Sequence, residues 1–117
     1  MRISMHKGDI RYVRFQIRDL HGKIANIDFT EIYFTVKKCF KNHLFAMQKK
    51  LSAGEIIRRD KGDYQFVIKP EDTALMATGD YVFDIQVDYK VENTNILKET
   101  FVGDFALKPE VTLPENE

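Results

Sequence analysis

Residues 79–89, GDYVFDIQVDY, constrain the fold of this chain more than any other stretch. Tyr81, Phe83, Ile85, Val87 and Tyr89 take alternate positions, and Val82, Asp84, Gln86 and Asp88 fill those between. Successive side chains of a strand point to opposite faces, so this is a strand with one face in a core and the other towards water. A helix would place apolar residues at intervals near 3.6, and no such stripe runs here. Burying each large apolar group contributes roughly 1.5–3 kcal/mol, so a one-residue slip that turned all five outward is strongly disfavoured.

The same alternation recurs along the chain. Arg2 to Met5 reads as a short strand with Ile3 and Met5 on one side. Tyr12 to Arg18 sends Val13, Phe15 and Ile17 inward, and Asp19 to Lys23 is a turn around Gly22. Ile24 to Phe29 crosses over without clear periodicity. Ile32 to Lys38 directs Ile32, Phe34 and Val36 inward and Tyr33, Thr35 and Lys37 outward. Phe40 to His43 is a polar turn, and Phe45 to Leu51 a strand carrying Phe45 and Met47. Glu55 to Arg59 and Tyr64 to Ile68 make a hairpin about Lys61-Gly62. Pro70 to Thr78 is the one helical turn, with Pro at its start followed by Glu71 and Asp72; its Leu75 and Met76 plug one end of the core. Lys90 to Asn95 connects to a last strand, Ile96 to Leu107, with Phe101, Phe105 and Leu107 inward and Gly103 a candidate bulge.

Strands at intervals of about 8–12 residues, with turns between and one helical turn near residues 70–78, indicate an all-β chain. The expected fold is an immunoglobulin-like antiparallel β-sandwich of seven to nine strands, because a lone sheet would leave an apolar face wet. One domain over residues 1–108 and an acidic, Pro-containing tail over 109–117 are expected. A small barrel is the competing architecture.

Hydrophobic residues at 44% and charged residues at 31% of 117 positions suit a globular domain with a modest core. A single cysteine, Cys39, leaves no internal disulfide, so packing must supply the stability. No apolar run suits a signal peptide or a membrane span, so synthesis in a reducing bacterial cytoplasm and no membrane partner are expected. The net charge of zero hides an asymmetry: residues 37–61 carry eight basic and two acidic residues, net +6, whereas residues 71–117 carry three lysines and eleven acids, net −8. The acidic half argues against nucleic acid as a partner.

Several groupings bear on chemistry. Cys39 and His43 have a metal-ligand spacing, but two ligands do not close a site, and a strand-end Cys with a loop His is the reading taken. Asp80, Asp84 and Asp88 share one side of the central strand, where a solvated face with Lys37 as a cross-strand partner is favoured over acid/base work. Phe40, Phe45 and Tyr64 lie among the basic residues but at inward positions, so they read as core. Tyr33, Val82 and Val102 point outward, and together with Lys37, Asp84, Gln86 and Asp88 they form a candidate assembly surface. No catalytic residue, metal ligand or cofactor is assigned.

Five runs carry a likeness beyond pattern: Gly8-Asp9, Asp19 to Lys23 (DLHGK), Phe34 to Lys38 (FTVKK), Tyr64 to Thr73 (YQFVIKPEDT) and Gly79 to Val87 (GDYVFDIQV), closed by Phe101 to Thr112. Together they resemble the small immunoglobulin-like proteins of phage and prophage structural clusters, including the N-terminal domain of baseplate upper proteins from phages of Gram-positive bacteria. The resemblance spans nearly the whole chain and implies a non-enzymatic virion structural protein, a tail or baseplate accessory or adaptor subunit. Its implied partners are other virion proteins or further copies of itself, and its implied place is the virion. A carbohydrate-binding or adhesion module on the same sandwich, and a small nucleic-acid-binding barrel, are the alternatives.

Overall fold

The computed structural model describes residues 1–18, 22–23, 29–41, 44–91 and 95–109. Eight strands and one short helix follow in chain order: β1 (Arg2–His6), β2 (Arg11–Gln16), β3 (Phe29–Lys37), β4 (Met47–Lys50), β5 (Ile56–Asp60), β6 (Asp63–Ile68), α1 (Pro70–Thr73), β7 (Gly79–Val91) and β8 (Asn95–Lys108). They form a five-stranded sheet, β1-β8-β7-β3-β4, and a three-stranded sheet, β2-β6-β5. This is the expected all-β sandwich with immunoglobulin-like topology. Among the described strands all pairings are antiparallel except one: β1 runs parallel to β8, with Ile3 opposite Phe105 and Met5 opposite Leu107. Parallel pairing was not expected, because its partner lies about a hundred residues away and no turn announces it.

The alternation read from the sequence sets the layers. Tyr81, Phe83, Ile85 and Val87 are buried, while Val82, Gln86 and Asp88 on the other side are only partly covered. Ile32, Phe34 and Val36 of β3 join them, as do Val13, Phe15 and Ile17 along β2 and its extension and Tyr64, Phe66 and Ile68 of β6. Phe34 is the pin between sheets, its ring 4.4 Å from that of Phe66 and 5.4 Å from that of Phe83. Such ring pairs add about 0.5–1.5 kcal/mol to their area burial, and here they stand in for a disulfide that a single cysteine cannot make.

The corner between β6 and β7 is tightly tied. The Asp72 carboxylate accepts from the Lys69 backbone N–H at 2.8 Å and from Lys49 Nζ at 2.7 Å. Lys49 sits at an inward position of β4 and is only 6% exposed, so its ammonium spans from the sheet edge to the helix. The Tyr81 hydroxyl then donates to the Ala77 carbonyl at 2.6 Å. This is the tyrosine corner of immunoglobulin-like sandwiches, a strand-opening tyrosine pinning the chain that leads into it.

Several expectations are corrected. Leu75 is fully exposed, so Met76 alone plugs the core, and α1 is a single turn. Phe40 and Phe45 are exposed, because β4 starts only at Met47 and the alternation does not extend to the loop before it. Phe101 is exposed although its parity is inward. Gly103 is no bulge: β7 and β8 stay in register from Gly79↔Leu107 to Val91↔Asn95. A Cβ there would lie 2.5 Å from Phe83 Cζ and closer still to the Met1 carbonyl oxygen, so the glycine makes room for a ring and a neighbouring backbone. The connection expected at 90–95 shrinks to residues 92–94, which lie outside the described residues, as do most of the turn at 19–23, most of the 24–29 crossover, and the tail beyond Pro109.

Candidate functional site

The outer face of the five-stranded sheet gathers all seven residues of the candidate surface. Tyr33 lies opposite Gln86, Lys37 opposite Val82, and Asp88 opposite Glu31 between β3 and β7; Val102 of β8 lies opposite Asp84. Five of them, Tyr33, Lys37, Asp84, Gln86 and Asp88, line a groove of about 360 Å³ with Thr35, Gln48 and Phe45. Val82 and Val102 flank it on the β8 side, diagonal to one another across the β7–β8 pair. Asp84 and Gln86 separate them from Tyr33, so the apolar groups are spaced points within a polar field.

Pairing across strands fixes this surface. Gln48 Nε2 donates to Thr35 Oγ1 at 3.1 Å, which holds the edge strand β4 in line with β3. Lys50 Nζ stands 5.8 Å from the centre of the Tyr33 ring, a cation over an aromatic face. Burial pushes the Asp84 carboxyl above the usual carboxylate range; Lys37, diagonal to it on β3, opposes the shift without cancelling it. Lys37 thus acts on Asp84 through its field, without the cross-strand ion pair that its position suggests. Asp80, at the same parity, is exposed, and its carbonyl accepts from Lys38 Nζ at 3.1 Å.

Along β7, Asp84 and Asp88 are four residues apart, about 13 Å, whereas carboxylates acting together on a bond sit about 5–9.5 Å apart. Glu31 lies opposite Asp88, but its Oε1 accepts from the Ile32 and Ser52 backbone N–H groups at 3.0 Å each, which ties it to the backbone. Among the described residues no three histidines, cysteines or acids gather to hold a metal. Cys39 is exposed; His43, the other half of that spacing, lies outside the described residues. What the face offers is apolar contact, donors and acceptors, and charge of both signs.

No family model, curated protein or solved structure matches the chain.

The sequence reading missed Phe45, Thr35 and Gln48 as groove residues. Thr35 and Gln48 were legible, since both fall at outward positions of strands. Phe45 was not, because a loop side chain obeys no strand parity. A second concavity was missed entirely. It opens between the sheets at one edge, about 680 Å³, lined by Met1, Arg14, Phe15, Gln16, Ile17, Ile85, Phe101 and Val102. Arg14 at its wall grips Asp63 with two hydrogen bonds, Nε to Oδ1 at 3.0 Å and Nη2 to Oδ2 at 2.5 Å. Those hydrogen bonds hold the Asp63 carboxyl below its usual range.

Proposed function

We propose that this chain is a non-enzymatic structural subunit of a phage or prophage particle, an accessory or adaptor of the tail or baseplate. The observation that supports it most is the outer face of the five-stranded sheet. Tyr33, Val82 and Val102 are spaced there among Lys37, Asp84, Gln86 and Asp88 on the mutually paired strands β3, β7 and β8. Spaced apolar points supply contact, while fixed charges of both signs select orientation and reject wrong partners. The family likeness along nearly the whole sequence points to the same setting. The partner is another virion protein or a further copy of the chain.

The test compares particles made with and without the gene, and with Val82→Lys/Val102→Lys, by electron microscopy and infectivity. Expected is a missing density and a drop in infectious titre in its absence, with the double variant folded but poorly incorporated. Particles of full infectivity and unaltered density without the protein would sink the proposal.

One observation favours a second reading, a glycan-binding module. Tyr33 and Phe45 border the same groove as Gln48, Asp84, Gln86 and Asp88, a combination of rings and acceptors that suits a sugar. A glycan array backed by NMR titration tests it; resonances of groove residues that stay fixed with every glycan remove it.

A further inference from the structure

Three connections leave the same end of the sandwich and gather much of its exposed apolar surface. β3 ends at Lys37 opposite Val82, near the start of β7, and β1 ends at His6 beside Lys108 of β8. The smaller sheet reaches the same end through its Arg11↔Ile68 pair, so the β1–β2, β3–β4 and β6–β7 connections lie together there. Lys7 Nζ donates to the Met76 carbonyl at 2.9 Å and Lys38 Nζ to that of Asp80 at 3.1 Å, which ties these segments to one another. Ten large apolar side chains are exposed among the described residues, and five of them stand at this end: Ile10, Phe40, Leu44, Phe45 and Leu75. Leu44 is 85% exposed and Leu75 100%, so both project from the end. Grouped apolar exposure of this kind marks a protein or a membrane contact.

We infer that this end docks on the surface of a bilayer carrying anionic lipid, with the apolar tips entering the headgroup boundary. The charge around the tips selects that occupant. Residues 32–54 hold five lysines and no acid. Lys49 is paired with Asp72, whereas Lys7 and Lys38 bond to carbonyl groups, which leave their charge uncancelled. Apart from that ion pair, the described residues of the three connections carry Lys7, Lys38, Lys41 and Lys69 against Asp9 and Glu71, net +2. Lysines beside projecting apolar groups match an anionic bilayer: the ammonium groups meet phosphates while the leucine and phenylalanine tips leave water. A second copy docked through the same end would set these lysines against themselves, which disfavours self-association there. Such a contact lies on the membrane and needs no crossing segment; among the described residues no helix is long and apolar enough to be one. It therefore revises the expectation of no membrane partner, which rested on the lack of an apolar run. It uses the end of the sandwich rather than the sheet face of the proposed function and goes beyond that reading.

Flotation of the purified full chain with lipid vesicles tests it, with no particle involved. Vesicles of equal parts phosphatidylglycerol and phosphatidylcholine should carry the wild type up the gradient, less so as salt rises. Vesicles of phosphatidylcholine alone should bind it at least about fivefold more weakly. The double variant Leu44→Ser/Leu75→Ser should bind the anionic vesicles at least about tenfold more weakly with unchanged melting, since both side chains face solvent in the fold. Lys41→Glu should weaken binding at least about fivefold. Four results overturn the inference: no flotation with anionic vesicles, equal binding to neutral ones, binding undiminished in Leu44→Ser/Leu75→Ser, or a wild type that self-associates through these leucines in sedimentation velocity without floating, which would give this end to a second copy.

Discussion

Phe105 and Phe101 are the same residue on the same strand at the same parity, yet one is 1% exposed and the other 41%. Around Phe105, β1 closes one side, the Tyr81 ring meets it edge-on at 6.2 Å, and the opposite sheet covers it. Around Phe101, which lies before the Arg2↔Asp104 pair, β1 does not reach, and the narrower three-stranded sheet leaves an opening among the described residues. Alternation decides which side of a sheet a side chain takes. Whether anything lies on that side is decided by the other layer, whose extent is set by strands far away in sequence.

Substitutions at the two phenylalanines should separate most widely. Phe105→Ala is expected to cost about 3–5 kcal/mol in chemical denaturation, because it leaves a cavity among fixed neighbours. Phe101→Ser should cost under about 1 kcal/mol, and near-equal losses would break the comparison. Gly103, between them, sharpens it: Gly103→Ala drives a methyl into the Phe83 ring, and a loss of about 1–3 kcal/mol is expected, read from the same denaturation curves. Tyr81→Phe keeps the ring against Phe105 and removes only the hydrogen bond to Ala77, so about 1 kcal/mol should be lost.

The smallest effect belongs to the outer side of the sheet and has the opposite sign. The folded-state pKa of Asp84 is raised by burial, so its ionisation works against folding once the pH has risen through that value, and the penalty vanishes below its unfolded pKa. Asp84→Asn should therefore raise the melting temperature slightly at neutral pH and leave it unchanged in acid. Asp63, held low by the Arg14 fork, behaves in reverse: its contribution is present above the unfolded carboxylate pKa and fades as the pH falls through the lower folded one. Melting of Asp63→Asn against pH should show a deficit at neutral pH that closes in acid.

Much of the fold was legible because its inner rows are long and uniform. The run Tyr81, Phe83, Ile85, Val87 admits one facing, and Lys61-Gly62 announces a hairpin whose glycine takes φ +66°. The seven candidate surface residues were placed on one face by the same rule. What stayed hidden depended on distance: β1 beside β8, the cover over Phe105 and its absence over Phe101, and the exposure of Leu75. The buried Lys49–Asp72 pair left a faint trace, a lysine at an inward position between Met47 and Leu51, but its acid is 23 residues on and nothing local connects them. Loop aromatics such as Phe45 had no periodicity to read.

The pairing of β1 with β8 also orders events in time. Ile3 has no lane to occupy until Phe105 has been made, 102 residues later. At translation rates of about 5–20 residues per second, that is roughly 5–20 s during which β1 waits for β8. A nascent chain must therefore keep β1 unspent while the middle of the sandwich assembles, and β1 docks only once β8 has been made.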